Sequence, residues 1–233
     1  MPYGSFKVEF ETLGILNDLN SPVEVLKTLL GTVPQENLLG FNFNRYWGRE
    51  AGQYHPAMDV RLNVDNIDQL VQAIRRTLEE LVKQGKIRWY SSDPEEWHEP
   101  EFVVHAHEVA TRCAIEFVDR MSCDNTLLGY LKRQPVEVMG HFVRLFLLAM
   151  GFEPYVAWTY LRSQPPDGLD KLARKCAELV DLSTYDRDRR SDYLERLLHA
   201  FFNCTIPSVE PHIVNYLMAS NYWHTLAERR LSR

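Results

Sequence analysis

The chain has 233 residues, a hydrophobic share of 45%, a charged share of 25% and a formal net charge of -6. That balance is the composition of an ordered globular protein, long enough for one large core or two small ones. The acidic excess, with a pI near 5.8, argues against a general nucleic-acid binder or a protein held on an acidic membrane, because both need a basic face to displace counterions.

Phe6, Val8 and Phe10 alternate with Lys7, Glu9 and Glu11, which predicts a first strand over Phe6 to Thr12. Asn20-Ser21-Pro22 then reads as a helix start, with Val23, Leu26, Leu29 and Leu30 at helical spacing up to Gly31. Leu38 to Val64 predicts two strands around an irregular loop at 47–57, whose glycines and proline permit many shapes. In the first, Leu39, Phe41, Phe43 and Arg45 alternate with Gly40, Asn42, Asn44 and Tyr46. In the second, Met58, Val60, Leu62 and Val64 alternate with Asp59, Arg61 and Asn63. Each strand has one apolar and one polar face, and the polar one reads either as a solvated surface or as an open face that grips an extended polar chain.

Asp65 or Asn66 caps a second predicted helix, in which Ile67, Leu70, Val71, Ile74, Leu78 and Leu81 recur every three or four residues until Gly85. Lys86 to Ser91 is a fourth predicted strand. The order strand, helix, strand, strand, helix, strand is that of a ferredoxin-like plait, with one sheet face on the helices and the other offered. Residues 92–101 are an acidic, proline-bounded connector. Beyond it only helices are predicted: Phe102 to Met121, Leu127 to Arg133, Val136 to Met150, Tyr155 to Leu161, Leu169 to Val180, Asp192 to Phe202 and Pro211 to Leu231. The expectation is an α+β protein, a ferredoxin-like half at 1–92 followed by a helical half at 102–233, separate or integrated into one domain.

Cys113, Cys123, Cys176 and Cys204 lie far apart without a C-x-x-C pair, as expected of free thiols in a reducing compartment. With no apolar signal region and no apolar run long enough to span a bilayer, the expected location is the cytoplasm. Glycine-rich phosphate loops and nucleophile elbows are absent. His98, Glu99, His105, His107 and Glu108 invite a metal reading. However, His105 and His107 stand about 200° apart around a helix, which turns them from a common ion. Phe142 and Phe146 fall at core spacing. His212 and Asn215, three residues apart on a helix, share a face, and a neutral histidine there can act as a general acid or base.

Three fragments resemble the C-terminal elimination domain of lantibiotic dehydratases and the related thiopeptide-type biosynthesis proteins. An aromatic strand ending in Arg45-Tyr46-Trp47, a strand Asp59-Val60-Arg61-Leu62, and a later His212-Ile213-Val214-Asn215 are similar in order to that family's motifs. Asn63 and Tyr216 stand where the family pattern has arginines. The resemblance implies a lyase of ribosomal natural-product maturation that acts on a precursor peptide by elimination or aza-cycloaddition, with no cofactor and no metal. It implies that Arg45 and Arg61 orient the substrate and stabilise an enolate-like oxygen while His212 moves the proton. Tyr46, Trp47, Tyr54, His55 and Asn215 would bind the peptide. The alternatives are a non-catalytic module that binds a peptide or partner protein through the open sheet face, a metal-dependent enzyme at His98 to Glu108, and a homodimer pairing its sheet faces.

Overall fold

A computed structural model of the chain describes residues 3–10, 20–50, 53–64, 67–91, 95–151, 164–183 and 185–213. Its elements are β1 (Tyr3–Glu9), α1 (Asn20–Leu30), β2 (Leu38–Glu50), β3 (Gln53–Val64), α2 (Ile67–Lys83), β4 (Trp89–Tyr90) and β5 (Glu95–Trp97). The helices α3 (Glu101–Cys123), α4 (Asn125–Arg133), α5 (Pro135–Ala149), α6 (Leu169–Ala177) and α7 (Arg187–Cys204) follow. The protein is α+β, as its strand and helix periodicities predict. The proposed caps Asp65 and Asn66, the predicted helix 155–161 and the chain beyond 213 lie outside the described residues.

The sheet runs β2-β3-β1-β4 with antiparallel neighbours, and β5 also pairs with β1. Two departures from the sequence reading shape the site. The hairpin keeps its ladder to Glu50↔Gln53, so strand pairing takes in residues 47–50 and 53–57 of the irregular loop expected over 47–57. The acidic connector also supplies a strand, since Tyr3↔Trp97 and Ser5↔Glu95 pair. The sequence reading made the segment a connector, whereas the backbone groups of β1 recruit it as a strand.

One sheet face buries Phe6, Val8, Met58, Val60 and Leu62 completely, together with Leu26 and Leu29 of α1 and Ile74 and Leu78 of α2. Their spacing of two on strands and three or four on helices makes that layer. In the helical half Phe142 stacks on Phe201 at 5.0 Å, and Phe117 meets both rings edge-on. Asp124 starts α4 by accepting from the amides of Thr126 and Leu127, and Asp186 starts α7 by accepting from Arg189.

The two regions meet at the outer edge of β2. The Phe43 amide donates to Thr111 Oγ1 of α3 at 3.2 Å, and the Cys204 thiol at the end of α7 donates to the Phe43 carbonyl at 2.9 Å. An edge strand that would present bare backbone is thereby satisfied by side chains from two helices. That contact carries α3 and α7 to the rim of the sheet, where the polar residues lie.

Candidate functional site

The register of the hairpin fixes where its arginines go. Asn42 pairs with Arg61 and Arg45 with Met58, with no irregularity between them. Paired residues share a face and successive residues alternate. Arg61 therefore stands with Asn42 on the polar face, and Arg45 stands with Met58 and Phe43 on the other. The two arginines do not leave the hairpin toward one pocket. Arg45 is 8% exposed and donates from Nη1 to the Thr205 carbonyl at 2.7 Å, at the C-terminal end of α7.

The polar face is not open at Arg61. The Arg61 side chain lies with its guanidinium carbon 4.2 Å from the centroid of the Trp97 ring, on the strand the connector supplied. Nη1 of Arg61 donates to Asn42 Oδ1 at 3.4 Å, and Nη2 lies 3.6 Å from Asp59 Oδ2. Asn42 is fully buried and Arg61 is 8% exposed, which corrects the expectation of a freely offered sheet surface at this point. On this face Asn42 Nδ2, Asn44 Oδ1 and Asn63 Oδ1 are buried without a hydrogen-bond partner among the described residues. Buried polar groups are ordinarily paired with protein or water, so these atoms keep unused hydrogen-bonding capacity.

His107 of α3 completes the cluster from above. Its ring centroid is 5.8 Å from that of Trp97, it is 9% exposed, and its Nδ1 has no partner among the described residues. Burial pushes its pKa down to about 4, and the nearby positive charges of Arg61, His199 and Arg196 act in the same direction. The ring is neutral at pH 7. Farther out, His199 of α7 is half-exposed and bonded at Nδ1 to Glu210 Oε1 at 2.5 Å, with Nε2 3.0 Å from Asn203 Nδ2. The hydrogen bond to Glu210 raises the His199 pKa above its ordinary value, against a smaller opposing effect of burial.

The other sequence-predicted residues are dispersed. Tyr46 and Trp47 lie on β2, and Tyr54 and His55 on β3, where the ladder sets Trp47 opposite Pro56 and Gly48 opposite His55. His212 is exposed on the last described helical turn, and Asn215 lies outside the described residues. The residues of the metal alternative point in different directions. His98 meets Glu96 at 3.1 Å on the surface, His105 Nδ1 meets Tyr185 Oη at 3.0 Å, and His107 faces Trp97. Among the described residues no three His, Cys, Asp or Glu side chains gather as a metal site.

Sequence reasoning missed Trp97 and the His199–Glu210 pair. Trp97 sits in a segment whose charge masked its strand. Residues 199 and 210 are joined by a turn at Pro207–Val209 that no periodicity announces. A concavity of about 520 Å³ lies apart from the Arg61 cluster, between α4, α5 and residues 164–167, and is walled by Tyr130, Glu137 and His141.

Neither a protein-family model nor a curated protein matches the sequence. The fold nevertheless resembles that of a lantibiotic dehydratase. The crystal structure of the tRNA-dependent lantibiotic dehydratase MibB from Microbispora sp. 107891 is similar over 88% of this chain, with a TM-score of 0.52 and 15% identity. The chain spans 26% of that protein's length. At that identity the likeness is one of fold.

Proposed function

We propose that this chain acts on a peptide in the maturation of a ribosomally made natural product, as a lyase that eliminates an activated leaving group or joins dehydrated residues by aza-cycloaddition. The observation that carries this reading is the Arg61 cluster. A buried guanidinium is held on Trp97 beside the unpartnered Nδ2 of Asn42 and close to the neutral His107. Two donor side chains set side by side suit a substrate carbonyl on which negative charge develops. The likeness to a lantibiotic dehydratase supports placing that chemistry on a peptide. Arg61 orients the carbonyl, and Arg45 fixes the end of α7 that leads to His212. Tyr46, Trp47, Tyr54 and His55 extend the peptide track toward the hairpin tip, and Asn215 contacts the peptide beyond His212.

The test is a synthetic peptide carrying an O-acetylserine, incubated with the protein and followed by mass spectrometry. Release of acetate with formation of dehydroalanine is the expected result, slowed about 100-fold by Arg61→Ala. Peptide that binds and is recovered unchanged would instead support a second reading, a non-catalytic peptide-binding module. That reading is favoured by one specific observation: Arg45 and Arg61 occupy opposite sheet faces, so they do not form a joint clamp.

A further inference from the structure

Two of the four cysteines face one another across a helix–helix contact. Cys113 lies on α3 and Cys176 on α6, 63 residues later, and both are buried, at 1% and 0% exposure. The Cys113 thiol points at the Cys176 carbonyl oxygen at 3.7 Å, and the Cys176 thiol points back at the Cys113 carbonyl oxygen at 3.8 Å. Side chains reach the opposing main chain in both directions only where the two backbones run close together. Small residues on the buried faces allow that approach, since Ala110 and Ala114 flank Cys113 on α3 and Ala173 stands one turn before Cys176 on α6. A hydrogen bond with the Cys176 thiol pushes the Cys113 pKa well above its ordinary value, and burial acts in the same direction. The third buried thiol, Cys204, is engaged elsewhere, on the Phe43 carbonyl at 2.9 Å. Buried cysteines that serve only as small apolar fillers have no reason to meet each other.

We propose that Cys113 and Cys176 are a dithiol pair that oxidises to a disulfide and staples α6 to α3. The proposal is independent of the elimination reading. A disulfide joins two chains whose Cα atoms lie about 4.4–6.8 Å apart, and the reciprocal contacts bring the two main chains within a side chain's reach of each other. The oxidant is a small disulfide, glutathione disulfide. One thiolate of the pair attacks its S–S bond and expels one glutathione thiolate, and the other then attacks the mixed disulfide and expels the second. The pair loses two electrons and two protons, and glutathione disulfide gains both to become two thiols. Burial keeps both sulfurs out of the oxidant's reach while α6 is packed, so exchange requires α6 to open from α3. A helix of 9 residues opens at less cost than the core beneath it. A bond that closes only between the packed helices stabilises that packing in return.

The experiment uses the full chain carrying Cys123→Ser, which removes the exposed thiol and the intermolecular disulfides it forms. The protein is equilibrated without air in glutathione and glutathione disulfide at graded ratios, in urea below the unfolding transition so that α6 opens while the core holds. Exchange is quenched with acid, free thiols are alkylated, and the digest is read by mass spectrometry. The expected result is one intramolecular disulfide, between Cys113 and Cys176, with the alkylated thiols falling from three to the one of Cys204. The oxidised protein is expected to unfold at a higher urea midpoint than the same sample after reduction with dithiothreitol. Cys204→Ala is expected to leave the cross-link in place, and Cys176→Ala to abolish it with Cys113 recovered as a free thiol or a glutathione adduct. Three alkylated thiols at the most oxidising ratio would overturn the pair. So would glutathione adducts in place of the bond, a cross-link from Cys113 to Cys204, or an oxidised protein that unfolds at a lower midpoint than the reduced one.

Discussion

Arg45 donates to the carbonyl of Thr205 at 2.7 Å, and that bond ties the middle of the hairpin to the C-terminal end of α7. A cation at a helix C-terminus is favoured by the macrodipole, and a buried hydrogen bond from a charged donor is worth more than a neutral one. Arg45→Met, which keeps the apolar stem, is expected to lower unfolding free energy by about 1.5–3 kcal/mol. Urea denaturation of wild type and variant checks this. An unchanged midpoint would show that the bond to Thr205 contributes nothing net.

The contact of Arg61 with Trp97, 4.2 Å from guanidinium carbon to ring centroid, predicts measurable coupling. A double-mutant cycle with Arg61→Met and Trp97→Leu should give an interaction energy of about 0.5–2 kcal/mol in stability, in the range of partly desolvated cation–π pairs. Because Asp59 and Asn42 also hold Arg61, Trp97→Leu alone should leave the guanidinium in place. Peptide binding should then weaken less than in Arg61→Met. Strict additivity of the two changes would exclude the contact as an energetic unit.

His107 makes stability depend on pH in a defined direction. Its folded pKa of about 4 lies below the ordinary 6.5, so between those values the unfolded chain binds a proton that the folded chain refuses. Stability is therefore fully present above pH 6.5 and falls as the pH drops toward 4, by an amount of order 3 kcal/mol. His199 acts with the opposite sign. Its raised pKa contributes stability that is complete below the ordinary histidine value and is lost as pH rises through the folded one. The wild type minus His107→Gln difference in unfolding free energy, measured by urea at several pH values, should shrink from pH 7 to pH 4. A constant difference would mean that His107 is not the group responsible.

The four cysteines are free, with Cys113, Cys176 and Cys204 buried and Cys123 exposed. Burial pushes the Cys204 thiol up to about 12, against smaller lowering effects of Thr111, Arg45 and Arg61, and it donates to the Phe43 carbonyl. Reaction with a disulfide reagent requires the thiolate and access to it. One equivalent, from Cys123, is expected to react rapidly in the native protein and the rest only on unfolding. Loss of the rapid phase in Cys123→Ser confirms the assignment, and its persistence would contradict it.

The amino-acid sequence by itself determined the local elements and the core. Period-two alternation gave the hairpin's apolar and polar faces, and spacing of three or four gave α2, α3, α5 and α7. It even held the answer on Arg45, which shares the parity of Phe41 and Phe43 and alternates with Asn42, so a strict reading of parity separates it from Arg61. Tertiary structure decided what covers the polar face. β5 forms because β1 has backbone groups to satisfy, α3 and α7 reach the β2 edge through Thr111 and Cys204, and Glu210 returns beside His199 after a turn. Each of these joins residues distant in the chain through contacts that local periodicity does not encode, and the site exists only where they meet.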